Sequence, residues 1–262
     1  MRPILVTGAH RSGTTWVGRT ICYHPETIYV HEPFNLNRHH PQNPFTRWYE
    51  AVDESTAPQV MEYIRESLLQ RHSRFRDFRR RLHLYRWRDV SRRHRIYRGV
   101  RAGLWRPVMK DPLALLSSEW LHETFGMDVI IVIRHPAAFA SSVLRFGWEH
   151  PFEDFQSQPH LMKGLLARFR REIAEYARVR HPPLDQMILL WRILHHAIRR
   201  YQAEHPDWLF VRHKDLSVRP RSAFEQVFKH VGLSYGDDIR RRIRDDTKPE
   251  NTNHEKGVFD TK

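Results

Sequence analysis

The chain is 262 residues long, enough to bury one substantial core, and no long Gly/Ser- or Pro-rich linker divides it, so residues 1–262 read as a single domain. Its 44 Lys and Arg against 30 Asp and Glu leave a formal charge of +14, carried largely by arginine, which points to an anionic ligand or surface. The single cysteine, Cys22, excludes an intramolecular disulfide and any cysteine-rich zinc or iron–sulfur site, and the lack of a charged leader or of ~18 uninterrupted apolar residues predicts a cytoplasmic chain without a membrane span.

Ile4 to Thr7 is a short β-type run that passes through a glycine turn into a helical pattern from about Thr14 to Tyr23. A second strand, Thr27 to His31, ends at Glu32-Pro33, and a third, around Pro107 to Met109, ends at Lys110-Asp111-Pro112. The run DVIIVI, Asp128 to Ile133, has the apolar continuity of a central parallel strand buried on both faces, and Arg134-His135-Pro136 then opens a helix. Amphipathic stretches from about Leu161 to Val179 and from Leu184 to Glu204 precede a strand at Trp208 to Arg212 and a helix at Arg219 to Val231. Strands alternating with helices predict an α/β fold with a central, mainly parallel sheet flanked by helices.

Between Glu50 and Arg101 no strand is convincing, and the segment reads as an Arg-rich helical insertion at about 50–101. Arg71 to Arg101 interleaves arginine with Phe75, Phe78, Tyr85, Trp87 and Tyr97. Such a run serves as a solvated surface, a face for an acidic acceptor, or a nucleic-acid patch.

The loop after the first strand carries the chemistry. Gly8 and Gly13 are five apart with Thr14 and Thr15 following, a spacing in which backbone N–H groups and a helix N-terminus surround a phosphate-like anion. A nucleotide hydrolase would have lysine where Thr14 stands and a magnesium-binding carboxylate at a neighbouring strand end. Here DVIIVI ends instead in Arg134, a cation that repels magnesium and attracts an anion, so the pattern predicts a donor bound without metal.

On these residues the chain resembles the sulfotransferase family, whose members take a sulfuryl group from 3′-phosphoadenosine-5′-phosphosulfate (PAPS) on a P-loop-like three-layer fold. TGAHRSGTTW is similar to that family's 5′-phosphosulfate loop, with Arg11 at a position often filled by lysine and Ser12, Gly13, Thr14, Thr15 and Trp16 matching as they stand. VIRHPAAFASSVLRF is similar to its 3′-phosphate segment, in which Arg134 and Ser142 would grip the 3′-phosphate. FVRHKDLSVRPRSAFEQVFKHVGL resembles the later strand and helix, so the likeness runs from Ile4 to about Leu233, with Glu50 to Arg101 unmatched. The resemblance implies PAPS as co-substrate, adenosine 3′,5′-bisphosphate as product, and no metal.

Transfer to an alcohol needs a base for the hydroxyl proton and cations for charge on the leaving oxygen. In an α/β sheet the ligand lies beyond the carboxyl ends of the strands, where Glu32 and Lys110 follow their strands as Arg11 follows the first. Some family members use a histidine in a Lys-x-His-Leu-Pro segment, but VMKDPLALL has Pro112 at that place. Others, especially those acting on carbohydrates, use a glutamate shortly after the loop, and Glu32 in VHEPFN occupies such a position. Glu32 is therefore the candidate base, with Asp111 and His31 as weaker alternatives. Lys110 and Arg11 are the candidate charge stabilisers; Lys110 reads equally well as an ordinary solvated lysine.

Lys256-Gly257 near the end faintly resembles a basic loop that closes over the 3′-phosphate in this family, although a solvated tail is the simpler reading. Trp16 and Trp148 read first as core aromatics, and the adjacent His195 and His196 face different sides of a helix rather than one ion. The leading expectation is a sulfotransferase acting on a hydroxyl of a carbohydrate or glycolipid. The alternatives are a magnesium-dependent P-loop nucleotide kinase and a nucleic-acid-binding module using the Arg-rich segment.

Overall fold

Ile4–Gly8 (β1) is buried at every position, as a strand covered on both faces must be. The structure, a computed structural model, describes residues 1–37, 42–70 and 98–247. After β1 come Thr14–Ile21 (α1), Thr27–His31 (β2), Ala57–Leu68 (α2), Arg106–Lys110 (β3), Ser118–Phe125 (α3), Asp128–Ile133 (β4) and Pro136–Arg145 (α4). The chain continues through Glu153–Gln156 (α5), Pro159–Lys163 (α6), Arg170–Arg178 (α7), Pro183–Glu204 (α8), Leu209–Arg212 (β5), His213–Val218 (α9), Pro220–His230 (α10) and Asp237–Asp246 (α11).

The sheet is all parallel in the order β2-β3-β1-β4-β5. From β1 the chain moves outward to β2, returns to β3, then crosses to the other side for β4 and β5. The direction of winding reverses beside β1, which opens a crevice at the carboxyl ends of β1, β3 and β4.

Side chains alternate across each strand and sort the core into two layers. Ile4, Val6, Val108, Ile130 and Val132 face Val17 and Ile21 of α1 and Phe224, Val227 and Phe228 of α10. Leu5, Met109, Val129 and Ile131 face the other way, toward Ile64, Leu121, Phe139, Val143, Ile193 and Leu194. The result is the three-layer, P-loop-like α/β fold expected from the strand–helix alternation. α8 fits its slot because Met187, Leu190, Leu194, Ile198 and Tyr201 recur at helical spacing and are all buried.

The stretch Leu161 to Val179, expected as one helix, is broken. α6 ends at Gly164 and a 3₁₀ turn at Ala167–Phe169 precedes α7. Across the break Leu161, Met162, Leu166, Phe169 and Ile173 all reach the core. Within the insertion, α2 contributes Val60, Tyr63, Ile64 and Leu68 to the core, whereas most of the Arg-rich run, 71–97, lies outside the described residues, as does Lys256. Among the described residues no helix is long and apolar enough to cross a membrane.

Candidate active site

The loop between β1 and α1 depends on two glycines. Gly8 has φ 144°, and a Cβ there would run into the carbonyl oxygen of Val132 on β4; Gly13 has φ 98°, and a Cβ would lie 2.6 Å from Cδ2 of His213. Between them Arg11 adopts φ 60°, a left-handed conformation that a non-glycine residue enters only under constraint. The Ser12 N–H donates to Ala9 O at 3.2 Å, and α1 begins with Val17 N–H on Gly13 O at 3.2 Å. Gly13 offers no side chain to cap α1 and the first turn holds no acidic residue, so the positive end of the helix faces outward uncompensated. Ser12 Oγ is buried without a hydrogen-bond partner beside it. Thr14 is buried, Thr15 is half-buried, and Trp16 packs edge-on against Phe224 at 5.3 Å, under the loop as the sequence suggested.

The loop and the end of β4 are tied together. Arg134 Nη1 donates to the carbonyl oxygen of Arg11, and Arg11 Nε donates to Ser142 Oγ on α4 at 3.1 Å, so the two motifs found 131 residues apart meet directly. The Arg134 carbonyl is fixed in turn by Trp191 Nε1 at 3.1 Å. Burial, followed by the fields of Arg134 and Arg145, pulls the Arg11 guanidinium below its ordinary basicity; burial and Arg145 do the same to Arg134. Among the described residues no carboxylate forms an ion pair with any of the three. At the opposite end of the sheet, by contrast, Arg106 is neutralised by Asp128. Like charges gathered without counter-charge, next to an unpartnered hydroxyl and an open helix end, are a site prepared for an anion.

On the other side of β1, the paired residues His31 and Lys110 bring the ends of β2 and β3 together, and the Glu32 N–H closes on Lys110 O at 2.9 Å. Lys110 is only 1% exposed and its Nζ is ion-paired with Glu32 Oε1, so it is not the solvated lysine that its type alone would suggest. Asn35 Nδ2 donates to the other carboxylate oxygen at 2.6 Å, and His31 Nδ1 lies 3.8 Å from Oε1. Burial by itself would raise the Glu32 carboxyl, but Lys110, His31 and Asn35 outweigh it and hold the group below the ordinary carboxylate range. Glu32 has φ 44°, a second left-handed residue at a strand end.

Asp111 latches the turn beside Glu32. Its oxygens accept the Phe34 N–H at 2.6 Å and the Leu113 N–H at 3.0 Å, while burial and the nearby Glu32 push its pKa up to about 7. It thereby fixes the turn that carries Glu32. His10 does comparable work under the loop: burial and Arg11 drive it down to about 3, and as a neutral ring it bonds to the Tyr49 hydroxyl.

Residues 3–237 match the family model described as the sulfotransferase family. The chain belongs to the sulfotransferase family. Among solved sulfotransferases, a domain from the curacin biosynthetic pathway is 14% identical, covers 91% of this chain and 77% of its own, and superposes with a TM-score of 0.49. A sulfotransferase from Alicyclobacillus acidocaldarius is 13% identical, with coverages of 95% and 93% and a TM-score of 0.46. The sulfotransferase domain of the Synechococcus PCC 7002 olefin synthase is 15% identical, with coverages of 96% and 82% and a TM-score of 0.47. No curated protein matches.

In this sulfotransferase the candidate residues fall into two groups flanking β1: Arg11, Ser12, Arg134 and Ser142 on one side, Glu32 and Lys110 on the other. Several neighbours escaped the sequence reading. Asn35 stands three residues after Glu32, a spacing that a search for partners of the base would have found. Arg145 stands three after Ser142 on α4. His213, which walls the loop at Gly13, had no local signal, because it arrives from the end of β5. Trp148 is a correction: it is 47% exposed rather than a core aromatic, with its ring centroid 5.5 Å from His10. His195, in contrast, is buried and stacks on Trp191 at 3.9 Å, while His196 meets Phe169 on another side of α8.

Proposed function

We propose that this sulfotransferase carries a sulfuryl group from PAPS to a hydroxyl of a carbohydrate or glycolipid. The observation that carries the reading is the unneutralised Arg11–Arg134 pair, joined by the Arg134 guanidinium on the Arg11 carbonyl, with Ser142 on Arg11 and the unpartnered Ser12 hydroxyl in the same loop. These groups suit the donor: two arginines without carboxylate partners among the described residues stand beside an uncapped helix N-terminus, the arrangement an anion requires. The backbone N–H groups of Gly13 to Trp16, with the hydroxyls of Ser12, Thr14 and Thr15, would hold the phosphosulfate; Arg134 and Ser142 would hold the 3′-phosphate.

The donor supplies a sulfur already activated by a phosphate leaving group. Glu32 takes the proton of the acceptor hydroxyl as that oxygen bonds to sulfur and the sulfur–oxygen bond to the phosphate breaks. Lys110 and Arg11 receive the charge that appears on the departing oxygen. The ion pair gives this division of labour a trigger. While Lys110 is bonded to Glu32 the carboxylate is a poor base, and once Lys110 turns toward the departing oxygen, the burial that favours protonation of Glu32 is offset only by His31 and Asn35.

The test is calorimetric titration with adenosine 3′,5′-bisphosphate in the presence of a chelator, followed by transfer of radiolabelled sulfate from PAPS to a panel of glycans, glycolipids and phenols. Binding without divalent metal and labelling of a glycan or glycolipid are expected. Binding of ATP with magnesium, in place of the bisphosphate, would overturn the reading.

A further inference from the structure

The turn after α4 exposes two large aromatic side chains next to the arginine cluster. Phe146 is 53% exposed and Trp148 47%, with ring centroids 6.1 Å apart and planes inclined at 44°. Gly147 between them has φ 62° and open space around its Cβ position, which turns both rings to the same neighbourhood. Leaving two such rings in water forfeits burial that the core readily gives to other aromatics, and paired exposed aromatics beside a catalytic crevice mark a binding face. The Arg11 guanidinium lies 4.2 Å from the Phe146 centroid and 5.8 Å from that of Trp148, so this face adjoins the residue expected at the transferred group.

Arg145 completes the face. It belongs to the same turn, its field reaches both Arg11 and Arg134, and no carboxylate forms an ion pair with it among the described residues. Arg134 and Ser142 are already committed to the 3′-phosphate in the reading above, which leaves Arg145 as a cation without a donor group to meet. Rings with an apolar face and an attached negative charge satisfy all three side chains together.

We infer that Phe146, Trp148 and Arg145 form the acceptor subsite, and that it selects an acidic sugar, one ring lying against Trp148 with its carboxylate or sulfate on Arg145. The inference rests on the sulfotransferase reading given above and names the acceptor chemistry of that same site. Adenine of the donor, a second copy of the chain and a neutral sugar are the competing occupants.

The full-length protein is titrated with a tetrasaccharide of alternating glucuronate and N-acetylhexosamine, and with its carboxyl-reduced neutral counterpart, with and without adenosine 3′,5′-bisphosphate. The acidic sugar is expected to bind about tenfold or more tightly than the neutral one, and Arg145→Gln to abolish that preference. Trp148→Ala is expected to weaken the acidic sugar about tenfold, with Trp148→Phe retaining most of the affinity. Nucleotide affinity should stay as in the wild type in the two Trp148 variants. Equal binding of the two sugars, or no binding of either, overturns the inference. So does Trp148→Ala that weakens the nucleotide instead of the sugar, which would make the ring an adenine platform, or that alters the sedimenting mass, which would make it a contact between copies. Sugar binding that persists in a protein unable to bind the bisphosphate would uphold the subsite while removing the donor assignment.

Discussion

Lys110 and Glu32 form a buried ion pair that joins the ends of β3 and β2. A pair so enclosed is sensitive to loss of either member, because the remaining charge is left largely buried without its counter-charge. Its geometry is held from outside by Asn35 on Glu32 and by Asp111 on the Phe34 N–H.

Removing one partner and removing both should therefore differ. Lys110→Met or Glu32→Gln alone is expected to cost about 3–5 kcal/mol of stability, while the double variant recovers most of that loss. Urea unfolding of the four proteins in a double-mutant cycle measures the coupling. Additive losses would mean that the pair is not the structural unit described.

Glu32→Gln should also lower turnover by about 10²–10⁴-fold while leaving affinity for adenosine 3′,5′-bisphosphate unchanged, since the carboxylate lies across β1 from the arginine cluster. Its stability effect has a defined pH sign. Because the Glu32 carboxyl is held below its ordinary 4.5, its contribution is present above that pH and disappears as the solution is acidified through the lower folded value. The wild-type advantage over Glu32→Gln should thus shrink on acidification. Near wild-type turnover in the variant would remove Glu32 as the base.

Arg134→Ala should weaken the bisphosphate by roughly ten- to a hundredfold, the worth of one or two charge-assisted hydrogen bonds. Calorimetry at fixed ionic strength reads this directly. The variant also frees the Arg11 carbonyl from its donor, so part of the loss will come from loosening of the loop.

What was legible in the sequence follows from how local each signal is. β1, β2 and β4 were readable because apolar runs ended in Gly, Glu-Pro and Arg-His-Pro, all local chemistry. The break between α6 and α7 was not, because the amphipathic period continues through Gly164 and gives no local sign of the 3₁₀ turn. Arg11 and Arg134 were found as separate strand-end cations, yet their direct bond depends on strand order, which places β1 against β4. Trp148 was misread because residue type predicts burial on average, and an exposed ring declares itself only in three dimensions. His213 depends on β5 docking at the sheet edge and leaves no trace near the loop it walls.

Asp111 offers a test in which charge opposes folding. Its folded pKa of about 7 lies above the ordinary 3.8, so between those values the native state holds a proton that the unfolded chain has released. Stability must then fall as pH rises through that window. Asp111→Asn keeps one acceptor and loses this titration, so the wild-type protein should lose its advantage over the variant steadily from pH 4 to pH 7. Urea midpoints at half-unit pH steps would show it, and a difference that grows with pH would contradict the assignment.

Gly8 and Gly13 separate two kinds of steric constraint. A methyl at Gly8 meets the carbonyl oxygen of Val132, part of a ladder that cannot shift without disturbing β4, whereas a methyl at Gly13 meets the ring of His213, a side chain that can be removed. Both positions also require left-handed or extended positive φ, which costs an L-residue about 1–3 kcal/mol. Gly8→Ala is therefore expected to lower the melting temperature more than Gly13→Ala does. Adding His213→Ala should rescue part of the Gly13→Ala loss and none of the Gly8→Ala loss. Thermal melts of the five proteins decide it, and equal rescue of both glycine variants would show that His213, and not the β4 backbone, governs the shape of the loop.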